Sequence, residues 1–177
     1  PENRTGEKGM GGRMPLEEGT ARLAARDLGT GWKVNPYLHV APGETLELAN
    51  FEGPGALTHI WLTPTGVWRN QILRIYWDDS EVPSVESPLG DFFACGWGRY
   101  AQVSSLAVCV NPGSAFNCYW PMPFRKSARI TVTNESAQRC HAFYYYVDWR
   151  KLDSLPEDTL YFHAHYRQEF PAAPGKH

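Results

Sequence analysis

Residues 71–79 read QILRIYWDD, and this stretch decides the fold class. Leu73, Ile75 and Trp77 alternate with Ile72, Arg74 and Tyr76, two of which carry polar groups. A side-chain period of two is that of a β-strand with one dry face. Two aspartates then end the apolar pattern. The stretch therefore predicts a half-buried strand in an all-β domain.

Similar strand signals lie on both sides of this stretch. They are HVAPGETLELANF (39–51), ALTHIWLTP (56–64), QVSSLAVCV (102–110), SAFNCYW (114–120), SARITVTNE (127–135), HAFYYYVDW (141–149) and TLYFHAHYR (159–167). About eight strands with turn signals between them and little helix are typical of a β-sandwich. We expect a single antiparallel jelly roll over residues 31–170, with another sandwich topology as the alternative.

The two ends of the chain lack strand patterning. Residues 1–30 are rich in Gly, Pro and charge, which predicts an irregular N-terminal arm. Within the arm, ARLAARDLG (21–29) fits two turns of helix. Residues 171–177 predict a short C-terminal tail. An arm of this kind can add a strand to an exposed sheet edge of a neighbouring subunit, and a disordered tail is the alternative.

The overall composition argues against several classes of partner. The chain of 177 residues has a formal net charge of -2, so we expect no basic face for nucleic acid. No apolar run approaches the roughly 20 residues that a membrane-spanning helix needs. Asn3 and Asn134 fit glycosylation acceptors, and the chain begins at Pro1 rather than Met. These features favour a processed, extracellular protein.

Four cysteines, Cys95, Cys109, Cys118 and Cys140, show no CxxC spacing. A zinc site would require the fold to gather them. Buried, unpaired thiols are the preferred interpretation, because free Cys behaves as a small apolar side chain.

The densest group of carboxylates lies in WDDSEVPSVESPLGDFF (77–93). Adjacent Asp78 and Asp79 would point to opposite faces of a strand, and Glu81 and Glu86 could converge only through a specific loop. Glu86 and Asp91 are the candidates for a catalytic role. A retaining glycosidase needs about 5–5.5 Å between them, and one needs a raised pKa.

The same stretch has two other interpretations. Asp78, Asp79 and Glu81 offer oxygens that suit calcium, the one cofactor that the sequence suggests, but no Gly-centred loop like that of an EF-hand. The interpretation that we favour is a polar loop between strands, in which carboxylates accept hydrogen bonds from backbone amides.

Four long stretches together resemble one known family. They are GPGALTHIWL (53–62), LRIYWDDSEVPSVESPLGDFF (73–93), FNCYWPMPFRKSARITVTNE (116–135) and LPEDTLYFHAHYRQEFP (155–171). They are similar, in order, to the N-terminal half of glycoside hydrolase family 172 proteins. The resemblance implies two tandem jelly rolls, a capsid-like fold, and assembly into trimers or paired trimers. It also implies retaining hydrolysis of α-linked fructofuranosides or arabinofuranosides by two Glu residues.

The sequence departs from this family at the catalytic positions. The family's Glu residues lie in the second jelly roll, in stretches like WGEGEIKFYLDGD and GTGTEDYF, and neither stretch occurs in this chain. In the first-half counterparts, the nucleophile position falls near Asn70 or Ile72, and the acid/base position falls on Gly90. None of these is a carboxylate, so no catalytic pair carries over.

Three functional hypotheses follow. The preferred one is a non-catalytic module that assembles into a homotrimer or higher homo-oligomer, with VPSVESPLGDFFACGWG (82–98) at a subunit boundary. The second is an α-furanosidase, or a piece of one, whose site is completed by another chain. The third is a carbohydrate-binding module in which Trp77, Trp97 and Trp120 stack on sugar rings, with core packing as the alternative for each.

Overall fold

The computed structural model describes residues 37–171 and 173–175. The described strands are β1 (Leu38–Val40), β2 (Thr45–Glu52), β3 (Gly55–Pro64), β4 (Gln71–Trp77), β5 (Val85–Pro88), β6 (Val103–Ser104), β7 (Val108–Val110), β8 (Phe116–Cys118), β9 (Met122–Phe124), β10 (Ser127–Asn134), β11 (Cys140–Lys151) and β12 (Ala164–His165). A 3-10 turn (Trp68–Asn70) and a short helix, α1 (Leu89–Phe92), complete the elements. The predicted arm, its helix at 21–29 and Asn3 lie outside the described residues.

The strands form two sheets that make a sandwich. The large sheet has the order β1-β11-β3-β8-β7-β6, with β9 also paired to β3, and the small sheet has the order β12-β5-β4-β10-β2. The first described strand, β1, therefore lies beside the much later strand β11, with Leu38 opposite Phe143, as in a jelly roll. The predicted all-β jelly-roll sandwich is confirmed. One pair departs from the antiparallel pattern, because β12 runs parallel to β5.

Strand β4 builds the core as its alternation predicts. Leu73, Ile75 and Trp77 are buried, and the residues between them are partly exposed. Burial of a large apolar side chain contributes roughly 1.5–3 kcal/mol. The core between the sheets also contains Phe93 and Phe116, both fully buried.

Two predicted strands are shorter in the structure. Residues 102–110 form a hairpin of β6 and β7, because the N–H of Val108 donates to Ser105 Oγ at 2.9 Å and the chain turns there. In 159–167 only β12 is a strand. Upstream of β12, the Arg125 side chain satisfies the carbonyls of Pro156 and Thr159 at 2.9 and 3.2 Å.

The expectation of a continuous loop over residues 77–93 is corrected in part. Val85–Pro88 form β5, which pairs with β4 so that Val85 lies opposite Ile75. This strand was not predicted, because Pro83 and Pro88 lack the backbone N–H that donates a hydrogen bond to a neighbouring strand. Within the described residues, no helix is long and apolar enough to cross a membrane.

Candidate functional site

Asp78 caps the loop that leads into β10. Its Oδ1 accepts hydrogen bonds from the backbone N–H groups of Arg125, Lys126 and Ser127 at 2.9, 2.6 and 3.3 Å, and Tyr161 donates its hydroxyl to Oδ2. Burial alone raises the pKa of Asp78, but these donors outweigh it and hold the pKa below its usual value. The carboxylate is thus already matched to hydrogen-bond donors.

The other two calcium candidates do not join Asp78. Asp78 and Asp79 have φ of 54° and 64°, and Ser80 N–H closes the turn onto the carbonyl three residues earlier at 3.1 Å. Asp79 accepts the hydroxyl of Ser127 at 2.6 Å, and Glu81 is exposed. In the part of the chain that the structure describes, no three His, Cys, Asp or Glu residues gather to hold a metal ion.

Glu86 lies in β5 and forms an ion pair with Arg74 of the neighbouring strand β4. Arg74 Nε donates to Glu86 Oε2 at 2.6 Å, and the same guanidinium donates to Thr133 Oγ1 at 2.9 Å. Arg74 Nη2 also reaches Glu135 at 3.4 Å. Glu86 is therefore part of a polar row on the small sheet. It does not line the pocket that contains Asp91.

Asp91 lies in α1, and its side chain is 14% exposed. Arg69 Nη1 lies 3.4 Å from Asp91 Oδ1, whereas Oδ2 is buried without a hydrogen-bond partner among the described residues. Burial raises the pKa of Asp91 above its usual value, and Arg69 offsets this only in part. A carboxyl that retains its proton more readily has the property required of a general acid.

Arg69 connects the segment after α1 to the C-terminal segment. It donates to the carbonyl of Gly96 and to the hydroxyl of Tyr166, and its guanidinium lies 5.0 Å from the centre of the Tyr166 ring. Neither Arg69 nor Tyr166 was predicted from the sequence. The only signal was that Tyr166 lies within 155–171, one of the stretches that carry the family resemblance.

The Asp91 pocket has a volume of about 450 Å³. Its other lining residues are Ser87, Phe92, Trp120, Phe162, Ala164, His165 and Tyr166. Aromatic walls with a few polar groups are typical of ligand pockets in this size range. A hollow of about 590 Å³ beside Arg125 and Tyr161 is less suitable. Both of those side chains are engaged in internal hydrogen bonds.

The three Trp candidates occupy different environments. Trp77 is buried, donates its indole N–H to the carbonyl of Phe162 at 2.8 Å and stacks on Phe124. Its ring belongs to the core and is not presented to a sugar. Trp97 is 93% exposed at the protein surface, and Trp120 is 39% exposed beside Phe162. Of the three, only Trp120 lines the Asp91 pocket.

Gly90, the position at which the resemblance would place an acid/base Glu, has little room for a side chain. A Cβ built there would lie 2.9 Å from the carbonyl oxygen of Cys95 and 3.3 Å from Cβ of Trp68. Cys95 N–H donates to the Gly90 carbonyl at 2.7 Å, which holds the two backbone segments together. Of the two residues that the resemblance places near a nucleophile position, Asn70 ends the 3-10 turn and Ile72 lies in β4.

The cysteines match the expectation of unpaired thiols. Cys95, Cys118 and Cys140 are buried and free, and Cys109 is partly exposed and free. Burial raises the pKa of Cys118 to about 12, and it also raises the pKa of Cys140. Cys118 and Cys140 should therefore stay protonated and unreactive in the folded protein.

Comparison with known proteins identifies the family. A family profile described as GH172 domain-like matches residues 33–145, which is well over half of the chain. The match includes the resembling stretches 53–62, 73–93 and 116–135, and 155–171 lies outside it. No curated protein gave a significant match. The chain, with its jelly-roll sandwich and its QILRIYWDD strand, therefore belongs to the GH172 domain-like family.

Proposed function

We propose that this chain is a jelly-roll module that assembles with copies of itself and does not use the family's pair of catalytic Glu residues. The supporting observation concerns the mostly exposed loop, residues 96–107, which includes β6. Trp97 and Leu106 in this loop are 93% and 99% exposed. Large apolar side chains that a folded domain leaves in water are typical anchors of protein interfaces.

The arrangement of carboxylates supports a non-catalytic role for the isolated chain. A retaining glycosidase needs two carboxyls about 5–5.5 Å apart across the sugar. Glu86 is held by Arg74 away from the pocket, and Asp91 lies in the pocket. The tight contact at Gly90 leaves no space for a replacement acid.

Light scattering coupled to size exclusion tests the self-assembly at micromolar concentration. The chain has a mass of 20.0 kDa, and we expect a discrete multiple of it. The family resemblance suggests a trimer or a pair of trimers. A species of 20.0 kDa alone would contradict the proposal.

A second candidate function is a glycoside hydrolase of the α-furanosidase type, completed by another chain. The specific observation in its favour is Asp91, a mostly buried carboxyl with a raised pKa beside Trp120. In this role Asp91 donates its proton to the leaving oxygen, and the other chain supplies the nucleophile. Release of phenol from aryl α-furanosides should then vanish in Asp91→Asn. Glu86→Gln is the matched control and should retain activity.

Carbohydrate binding without hydrolysis is the weaker variant of this candidate. A sugar ring that stacks on Trp120 would quench the tryptophan fluorescence on titration with fructose or arabinose oligosaccharides. The quenching should disappear in Trp120→Ala. Hydrolysis or quenching that survives both substitutions would exclude the Asp91 pocket as the site.

A further inference from the structure

The Trp97 side chain is not covered by any of the described residues, and it is called the anchor below. It is 93% exposed, although Trp is a residue that folded proteins bury extensively on average. The backbone around it is held in place, because Gly98 N–H donates to the carbonyl of Cys95 at 3.3 Å and Gly96 accepts from Arg69. The indole is therefore presented by an ordered turn.

The Asp91 pocket lies next to this anchor. Arg69 donates to Gly96, the residue before Trp97, and also to Tyr166, which lines the pocket. One guanidinium thus links the base of the anchor to the pocket wall. Anchor and pocket are thus joined through a single side chain. A two-fold interface needs such proximity, since each residue of one copy meets a different residue of the other.

The chemistry of the pocket is complementary to an indole. Phe92, Trp120 and Phe162 offer apolar ring surfaces, and the volume of about 450 Å³ accommodates a bicyclic ring. An indole also carries one N–H donor, which needs an acceptor once it is buried. Asp91 lines the pocket with a side chain that is 14% exposed, and its carboxylate is the acceptor nearest to such an N–H.

We propose that Trp97 of one copy inserts into the Asp91 pocket of a second copy, and that the second copy returns the same contact. This inference rests on the proposed self-assembly and specifies its interface, whether the contact joins two single chains or two trimers. Each buried aromatic ring removes roughly 150–250 Å² from water, whereas a stable interface buries at least about 1,200 Å² in total. Tyr100 and Leu106, exposed on the same loop, are the nearest source of the remaining apolar area.

The first experiment measures the dissociation constant of the full chain by sedimentation or light scattering. Trp97→Ala removes the anchor from both copies. It should raise the dissociation constant about 700-fold, since truncation of each central Trp anchor costs about 2 kcal/mol at 1.4 kcal/mol per tenfold. Trp120→Ala, which removes a pocket wall, should also weaken association. Leu160→Ser is the matched control, because Leu160 is an exposed apolar residue (84%) of a different loop. Circular dichroism confirms that each variant is folded.

The decisive experiment mixes the two weakened variants. A Trp97→Ala copy retains an intact pocket, and a Trp120→Ala copy retains an intact anchor. The mixture therefore restores one full contact, and it should associate more tightly than either variant alone.

The possible outcomes separate this inference from the proposed function. If the unmodified chain is monomeric, self-assembly itself fails and this interface fails with it. If the unmodified chain assembles but Trp97→Ala assembles equally well, only the inserted-anchor interface is overturned. A mixture that associates no better than its components would also overturn it. That result would point instead to a small ligand as the occupant of the pocket.

Discussion

The carboxylate of Asp78 accepts the backbone N–H of Lys126 at 2.6 Å, across 48 residues of sequence. This contact fixes the turn after β4 to the loop before β10, and Arg125 and Ser127 donate to the same oxygen. Part of the acidic character of the 77–93 stretch is therefore used to organise the loops at this end of the sandwich.

Removing this carboxylate should destabilise the fold. Asp78→Ala leaves several N–H donors without their acceptor, and we expect a loss of about 2–3 kcal/mol in the free energy of unfolding at pH 7. Asp79→Ala is the matched control, since among the described residues the Asp79 carboxylate accepts a hydrogen bond only from the Ser127 hydroxyl. Urea denaturation measures both. Equal losses in the two variants would contradict the capping role.

Asp78 should also make stability dependent on pH. Its pKa in the folded protein is below the ordinary value of 3.8, so its contribution is present above about pH 4. The contribution is lost as the pH falls through the lower, folded-state pKa. Asp78→Asn should therefore reduce the acid dependence of the unfolding free energy between pH 5 and the onset of acid unfolding. An unchanged slope would argue against the lowered pKa.

Asp91 should have the opposite effect on the pH dependence of stability. Because burial raises its folded-state pKa above 3.8, its ionised form opposes folding at neutral pH. Asp91→Asn should therefore stabilise the protein at pH 7, by up to about 1 kcal/mol. The gain should fade as the pH falls through the folded-state pKa, and it should vanish below the unfolded-state value. Thermal unfolding at several pH values measures the difference, and a destabilised variant at pH 7 would contradict it.

Gly90 should tolerate no side chain. In Gly90→Ala the new Cβ would meet the Cys95 carbonyl oxygen at 2.9 Å, so we expect a loss of about 2–3 kcal/mol. Gly98→Ala is the control. Gly98 has φ of 66° and open space around it, so its cost is backbone strain of about 1–2 kcal/mol. If Gly90→Ala unfolds at the same denaturant concentration as the unmodified protein, the close approach is not a constraint.

Thiol labelling should distinguish the cysteines. In the native protein at pH 8, iodoacetamide should modify Cys109 first, because the other three are buried. Cys118, whose pKa is raised to about 12, should react only after unfolding. Peptide mass spectrometry reads each site. Labelling of Cys118 as fast as Cys109 would show that the core opens on the time scale of the reaction.

The sequence predicted what depends on local alternation and missed what depends on distant contacts. β4 was predictable because Leu73, Ile75 and Trp77 repeat with the period of a strand. β5 was not, because its prolines suggested a loop and its pairing with β12 is parallel. Arg69 and Tyr166 lie 97 residues apart, and no pattern within either segment predicts their contact.

For the candidate site, the sequence identified several of the residues but not which of them lie together. The carboxylates of residues 77–93 were identified, but their division among a loop cap, an ion pair and a pocket depends on the tertiary fold. Only Asp91 and Trp120 among the proposed residues meet in one pocket. The burial of Trp77 follows from its position on the dry face of β4, where its ring packs between the sheets.

Self-assembly is the property on which the proposed function depends. It is tested by the molar mass of the unmodified chain, measured by light scattering across a dilution series from about 100 to 1 micromolar. We expect a discrete multiple of 20.0 kDa that dissociates only on dilution. A constant mass of 20.0 kDa over the whole series would contradict self-assembly.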